Sequence, residues 1–209
     1  MMRPRRLPGT MFQDFVPAYW VIPSRCFLIM QARKINKQIK HTSDIFYRFK
    51  LGSSSLAFPL ALAIYRALQE RNLLDFDCII PIPLSPDKAQ DGEIHRTLLL
   101  ARELARLLGT PVRDFLTLTH AISKHKLRTD EGLNAKEFEP AYRNALLVDP
   151  RARSQEQILL LDDVCTEGST LRCCVEAIKE IAPDCTITAV TGGQMILSHV
   201  VSQTAELTD

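Results

Sequence analysis

The sequence predicts an α/β fold in which a parallel β-sheet is flanked by helices. Three short apolar runs, at 78–83, 157–161 and 185–190, have the length and composition of buried strands. Segments with apolar residues at helical spacing follow the first two runs, at 96–108 and 169–181. Strands that alternate with amphipathic helices are typical of a parallel sheet with helices on its faces.

The N-terminal part of the chain divides into an arm and the start of a domain. Residues 1–45 are predicted to form a basic arm, part of which can act as a hood that covers a ligand site. Residues 46–209 are predicted to form the folded domain. Four prolines argue against a continuous helix early in the arm, whereas residues 27–50 mix apolar and basic positions as amphipathic helices do. The first helix of the domain is expected at 58–74, directly before the first strand.

Three further boundaries are predicted in the second half of the domain. Residues 117–144 are polar and weakly patterned, so a loop-rich segment is expected there. The strand at 157–161 is expected to lead into a loop at 162–168. The strand at 185–190 is expected to end before the glycine pair at 192–193.

Charge is distributed unevenly along the chain. The first 50 residues hold ten Lys and Arg against two acidic residues, a net charge of +8, whereas the other 159 hold 16 against 22, a net charge of −6. This asymmetry indicates either an arm that faces a polyanion or acidic partner, or a solvated start of the chain. The aromatic residues Phe12, Phe15, Tyr19 and Trp20 suit stacking on single-stranded bases or docking on a protein.

The six cysteines form neither a metal-binding nor a disulfide pattern. No pair has the two-residue spacing of a zinc knuckle, and no secretory signal pattern is found, so reduced thiols of a cytoplasmic protein are expected. Cys165 is expected to fill space in a loop. The apolar stretch at 19–30 is interrupted by Pro23 and Arg25 and is shorter than the about 20 residues that cross a bilayer, so no membrane contact is expected.

The chemistry is expected in the segment 158–170. Its apolar strand would carry Asp162 and Asp163 to the carboxyl edge of the sheet, where ligands of parallel α/β folds bind. Gly168 lets the backbone approach a ligand, and the next helix would direct unpaired N–H groups and its positive dipole end into the same space. Acids for sugar hydroxyls beside donors for a phosphate match a ribose 5-phosphate.

This segment resembles the motif with which type I phosphoribosyltransferases bind 5-phosphoribosyl 1-pyrophosphate (PRPP). The shared pattern is four apolar residues, two acids, a short loop and Thr-x-Gly-Ser-Thr. The resemblance implies a phosphoribosyltransferase-type, Rossmann-like fold in which Asp162 and Asp163 hold the ribose 2′- and 3′-hydroxyls. It also implies a 5′-phosphate loop formed by Thr166, Glu167, Gly168, Ser169 and Thr170. The alternative, a P-loop ATPase strand, predicts a Gly-x4-Gly-Lys-Ser/Thr sequence, which the chain lacks.

Further matches are to the ComF-type branch of this superfamily. The stretch 77–86 is similar to that branch's strand and pyrophosphate loop, which would place Leu84, Ser85 and Lys88 beside pyrophosphate. Order and spacing agree from about Phe46 to Val190. The branch's four-cysteine zinc ribbon is missing from the N-terminal residues.

Two departures from the branch bear on catalysis. Gly92-Glu93-Ile94-His95-Arg96 stands where the branch has Arg-Gly-Phe-Asn-Gln, and His95 and Arg96 are candidate replacements for that segment. Glu167 stands where the family has a second threonine, so a carboxylate lies where a phosphate is expected; it either points outward or accepts a proton at the reacting centre. The sequence does not identify the catalytic residues. Glu167, Lys88 and Arg96 are the candidates, although Lys88 and Arg96 are equally typical of solvated surface residues.

Two functions are compatible with these features. The first is a phosphoribosyltransferase in which a nitrogenous base or amine displaces pyrophosphate from PRPP, with Mg²⁺ carried largely by pyrophosphate and ribose oxygens. The alternative is a PRPP- or nucleotide-binding effector or regulatory subunit of a nucleoprotein assembly, such as a bacterial anti-phage system. In that case the basic arm would hold nucleic acid or protein. The acceptor and the oligomeric state stay open.

Replacing Glu167 with Thr tests the role of that carboxylate. A carboxylate within about 4 Å of a phosphate is repulsive by about 1 kcal/mol even in water, so E167T is expected to tighten PRPP binding about fivefold. Isothermal titration calorimetry with Mg²⁺ and PRPP measures the change. Unchanged affinity would mean that Glu167 points outward, and loss of a transferase activity would mean that it accepts a proton.

Overall fold

The computed structural model describes residues 48–49, 51–122, 135–165 and 168–194. The strands of this part are β1 (Cys78–Pro81), β2 (Leu116–Leu118), β3 (Leu146–Val148), β4 (Gln157–Cys165) and β5 (Thr186–Gln194). The α-helices are α1 (Ala57–Gln69), α2 (Pro86–Gln90), α3 (Arg96–Leu108), α4 (Ala135–Ala145) and α5 (Ser169–Ile181), and 3-10 helices lie at Ser54–Leu56 and Pro150–Ser154. The predicted basic arm lies outside the described residues. No helix among the described residues has both the length and the apolar character that a membrane span needs.

The main sheet is parallel and has the order β1-β4-β5. β4 is therefore the central strand. It pairs with β1 from Ile158, opposite Cys78, to Leu161, opposite Pro81, and with β5 along its whole length. The prediction of a parallel sheet flanked by helices is confirmed. β2 and β3 form a separate antiparallel ribbon.

Alternation along β4 divides the core into two layers. Ile158 and Leu160 face α4, α5 and the ribbon on one side of the sheet, and Leu159 and Leu161 face α1 and α3 on the other. Successive strand residues point to opposite faces, so a strand that is covered on both faces needs an unbroken apolar run. All four side chains are fully buried. The layers are thus helix, sheet and helix.

The helix boundaries follow from local capping. α3 starts after His95, whose Nδ1 accepts the Leu98 N–H at 3.2 Å, and ends at Gly109, which has a φ of 71°. The bounds of α3 and α5 agree with the prediction. α1 ends at Gln69, five residues earlier than predicted, where the chain turns through Asn72 with a φ of 55°.

Both long strands extend further than predicted. β4 does not give way to a loop at Asp162 but continues to Cys165, and β5 continues through the glycine pair at 192–193 to Gln194. The physical reason is that the two extensions pair with each other, as Val164 does with Gly193. Backbone hydrogen bonds between parallel strands need no apolar side chains, so the apolar run ends before the strand does.

The predicted loop-rich segment 117–144 contains regular structure at both ends. β2 reaches into its start and α4 forms its end, and residues 123–134 lie outside the described part. Phe138 and Tyr142 lie one turn apart on α4, with ring centroids separated by 5.4 Å, and both are buried against α5. The intervening Pro140 makes this stretch look unlike a helix, because proline is unfavourable inside one. Burial of the two aromatic rings outweighs that cost.

Leu159 tests the two-layer core. L159A is expected to lower the free energy of unfolding by about 2–5 kcal/mol, because a cavity between α1, α3 and the sheet can close only in part. Leu147 is the matched control, since it also lies on a strand but is 55% exposed, and L147A should change stability by less than about 0.5 kcal/mol. Urea denaturation measures both variants. Equal losses would contradict the placement of Leu159 in the core.

Candidate functional site

β4 extends past β1 at the carboxyl edge of the sheet. The last contact between the two strands runs from the Ile82 N–H to the Leu161 carbonyl oxygen, at 2.8 Å. β4 then continues for four residues, from Asp162 to Cys165, beside β5. Since the strands are parallel, the segments that follow β1 and β4 leave the sheet at the same edge.

Asp162 and Asp163 occupy the first two positions of this extension and point to opposite faces of the sheet. Asp163 lies on the side of α3, where its Oδ2 is 3.2 Å from the Nε of Arg96. Asp162 lies on the side of α4 and α5, near Tyr142 and Cys174. Burial raises the pKa of both of those side chains, and the nearby Asp162 charge raises it further.

The two carboxyl groups have different electrostatic environments. Burial raises the pKa of Asp162 well above its usual value, and the charge of Asp163 acts in the same direction. The Asp163 N–H donates to Asp162 Oδ1 at 2.8 Å and opposes this shift in part. Asp163 forms an ion pair with Arg96, and the two side chains of that pair are 18% and 16% exposed. Neighbouring residues of the same type thus have different chemistry.

Charged side chains link this pair to the loop after β1. Glu93 Oε2 lies 3.8 Å from Arg96 Nη1 and 3.7 Å from Lys88 Nζ. The Glu93 N–H donates to the Lys88 carbonyl oxygen at 2.9 Å, which holds Glu93 beside the end of α2. Four side chains therefore form a chain of alternating charge from Lys88 to Asp163. The outer contacts are more exposed than the Arg96–Asp163 pair and contribute less to stability.

Helix α5 begins at the same edge, and three residues separate it from the end of β4. Gly168 has a φ of 79°, and its carbonyl oxygen accepts the Arg172 N–H at 2.9 Å, the first hydrogen bond of the helix. The backbone N–H groups and positive dipole end of the first turn are those of an anion-binding helix start. Ser169 is buried, so its side chain lies in the protein, whereas Thr170 is half-buried. Thr166 and Glu167 lie outside the described residues.

The structure brings together some predicted site residues that are far apart in sequence. Asp163 meets Arg96, and Lys88 joins them through Glu93. Leu84 and Ser85 lie between β1 and α2, where the Ser85 hydroxyl donates to Asp87 at 2.5 Å. Cys165 is buried as expected, although it lies in a strand and not in a loop.

Sequence reasoning missed two features of the site. Glu93 was not singled out, although its three-residue separation from Arg96 suits an ion pair where a helix starts. The half-buried position of Asp162 near Tyr142 and Cys174 had no local signal, because these two residues lie on two helices, α4 and α5.

The described residues show neither a cluster of metal ligands nor an exposed cysteine. Within the described ranges, no three or more His, Cys, Asp or Glu side chains are grouped so that they could hold a metal ion. The described cysteines, Cys78, Cys165, Cys173, Cys174 and Cys185, are all buried, and those other than Cys165 are free thiols.

No protein-family model matches the chain, and no curated protein matches it significantly. The geometry of the carboxyl edge and the sequence motif are therefore the features that indicate a function.

Replacing each aspartate with Asn should affect stability in opposite directions. Because the pKa of Asp162 is raised in the folded state, the contribution of this group to stability is fully present below the usual aspartate pKa and is lost as the pH rises through the folded pKa. D162N removes this loss, so it should gain stability relative to wild type as the pH is raised from 4.5 to 8. D163N breaks the pair with Arg96 and should lose about 1–2 kcal/mol at pH 8.

Thermal melting of the three proteins across this pH range measures both effects. If the melting temperatures of D162N and wild type change with pH in the same way, the pKa of Asp162 is not raised in the folded protein. If D163N is as stable as wild type, its pair with Arg96 contributes nothing.

Proposed function

We propose that this chain is a phosphoribosyltransferase-like protein that binds PRPP at the carboxyl edge of β4. In this proposal the sheet and its helices are a fold of the phosphoribosyltransferase type. Support comes from three neighbouring features: the Asp162-Asp163 pair, the start of α5 behind Gly168, and the cations of α2 and of the start of α3, Lys88 and Arg96. Together they match a ligand with sugar hydroxyls, a 5′-phosphate and a pyrophosphate.

The observation that carries the proposal is the 3.2 Å contact between Arg96 and Asp163. The two residues are 67 positions apart in the chain. By the resemblance, the segment of Arg96 follows the pyrophosphate loop and Asp163 belongs to the ribose motif. A single ligand that carries both groups would need these two segments side by side, and their side chains are in contact.

The proposed reaction is a displacement at ribose C1. A bond forms from the nitrogen of the acceptor to C1 while the bond from C1 to the pyrophosphate oxygen breaks, and the electron pair leaves with pyrophosphate. Positive charge develops on the ribose, and the Asp163 carboxylate lies where it can accept a hydrogen bond from a ribose hydroxyl. Arg96 and Lys88 would stabilise the leaving group. Glu167 is the candidate acceptor for the proton of the attacking nitrogen.

Mg²⁺ fits this site when the bound ligand supplies most of the oxygens that coordinate it. The described residues contain no side-chain cluster that would hold the ion by itself. Mg²⁺ takes near-octahedral oxygen coordination, which pyrophosphate, ribose and water can supply. When bound, the ion would neutralise charge on the leaving pyrophosphate.

Arg96 can bind a ligand without giving up its pair with Asp163. Its Nε donates to Asp163 and its Nη1 lies 3.8 Å from Glu93 Oε2, whereas a guanidinium has five N–H donors in all. A pyrophosphate oxygen would form a strong charge-assisted hydrogen bond with this group, either beside the existing contacts or in place of one of them.

A second candidate function is favoured by the balance of positive and negative charges around Arg96. Lys88 and Arg96 are each matched by an acidic partner, Glu93 or Asp163, so this group of four residues has no net positive charge. A site that must stabilise a departing pyrophosphate benefits from excess positive charge. The balance therefore favours a protein that binds PRPP or a nucleotide without turnover, as an effector or regulatory subunit.

Calorimetry with Mg²⁺ and PRPP tests the binding proposal. Wild type is expected to bind, and D163N to bind at least tenfold more weakly, because the ribose loses a charged acceptor. D184N is the matched control: Asp184 is exposed in the turn between α5 and β5, at the opposite edge of the sheet, and binding should be unchanged. Absence of PRPP binding by a folded wild-type protein would overturn the proposal.

Pyrophosphate release separates the two candidate functions. The purified chain is incubated with Mg²⁺, PRPP and a panel of purine and pyrimidine bases and simple amines, and released pyrophosphate is measured. Release that depends on one acceptor and is lost in D163N indicates a transferase. Tight binding without release across the panel indicates the effector function.

A further inference from the structure

His95 caps α3 in an unusual way. It occupies the N-cap position, with φ −71° and ψ 81°, and its Nδ1 accepts the N–H of Leu98, the third residue of the helix. Ser, Thr, Asp and Asn are the residues that usually accept this hydrogen bond. A histidine can do so only while Nδ1 carries no proton, which leaves the proton of the neutral ring on Nε2.

The cap lies next to the side chain that joins the two halves of the candidate site. Arg96 is the first residue of α3 and directly follows His95. The His95 carbonyl oxygen also accepts the Leu99 N–H at 3.1 Å, so both the ring and the backbone of His95 hold the first turn in place. The position of that turn determines whether the Arg96 guanidinium reaches Asp163.

We propose that His95 is a positioning residue whose uncharged imidazole caps α3 and thereby holds Arg96 against Asp163. This inference rests on the proposed function only in that the same ion pair is assigned to ligand binding. Protonation of Nδ1 would place two donors opposite each other, at the His95 ring and the Leu98 N–H. The cap would then be lost, and the first turn of α3 would be freer to move.

The charged groups around His95 decide how this device responds to pH. Asp114 faces it from the segment before β2, Asp163 from β4, and Arg96 and Arg102 from α3. Burial is the largest influence and lowers the pKa of His95 below its usual value; the two aspartates oppose this shift, and the two arginines add to it. A protonated His95 would also compete with Arg96 for the Asp163 carboxylate.

The direction of the pH effect follows from the lowered pKa. The unfolded chain binds a proton on His95 more tightly than the folded chain does. The stabilisation from the neutral ring is therefore present above the usual histidine pKa and is lost as the pH falls through the folded value. The ion pair of Arg96 and Asp163 should weaken over the same range.

Two substitutions separate the cap from the charge. H95N keeps a side-chain acceptor for the Leu98 N–H but does not titrate, whereas H95A removes the acceptor. At pH 8 we expect H95N to bind Mg²⁺-PRPP within about twofold of wild type, and H95A about fivefold more weakly, the effect of a typical N-cap. As the pH is lowered to 5, wild type should lose affinity more steeply than H95N.

A ligand-independent measurement keeps the inference testable if PRPP does not bind. The Nε–H resonance of Arg96, assigned by its loss in R96K, reports the contact with Asp163 in nuclear magnetic resonance spectra. Long-range proton–nitrogen correlations report which ring nitrogen of His95 is protonated. We expect an unprotonated Nδ1 at pH 8, and an Arg96 signal that weakens in H95A and at low pH but persists in H95N.

Each outcome decides the question. A protonated Nδ1 at pH 8, or an Arg96 signal that is the same in wild type, H95N and H95A, would overturn the positioning role. If the Arg96 signal follows His95 as expected while PRPP fails to bind, the positioning role stands and the proposed ligand is wrong. If H95A unfolds, the comparison of wild type with H95N across the pH range still shows whether His95 positions Arg96.

Discussion

The central position of β4 is the constraint on which the rest of the structure depends. A strand that is paired on both edges and covered by helices on both faces has no contact with water, so its interior side chains must be apolar. Polar residues can appear only where this cover ends. In β4 that point comes after Leu161, where β1 leaves the sheet. The same geometry that forms the core therefore places the two carboxylates at the carboxyl edge of the sheet, which is where ligands of parallel α/β folds bind.

Strand alternation then gives the two carboxylates different surroundings. Asp163 points toward α3 and has a cation within hydrogen-bond distance, whereas Asp162 points toward α4 and α5 and is half-buried near Tyr142. In such surroundings an ionised carboxyl group is costly unless it is paired. A pair of adjacent acids on a strand is thus not a pair of equivalent groups. If both hold a ribose, they must do so from different sides and with different charge.

Helix α3 connects the two halves of the candidate site. Its first turn is held by a side-chain cap, and its first residue supplies the cation that meets Asp163. A local interaction between neighbours in sequence, the cap, therefore affects a contact between segments 67 residues apart. Balanced charges in this group would let a ligand bind without supplying the excess positive charge that stabilises a departing pyrophosphate.

By itself, the sequence determined the class of fold, the bounds of α3 and α5, and the segment in which the acids would lie, because apolar periodicity and capping residues act locally. Only the tertiary structure decided how far β4 and β5 extend, since Val164 and Gly193 pair through their backbones whatever their side chains are. It also decided that α4 forms despite Pro140, because Phe138 and Tyr142 are buried against α5. The contact of Arg96 with Asp163 is a third feature that only the tertiary structure decided. It arises from the order of the strands, which no local pattern encodes.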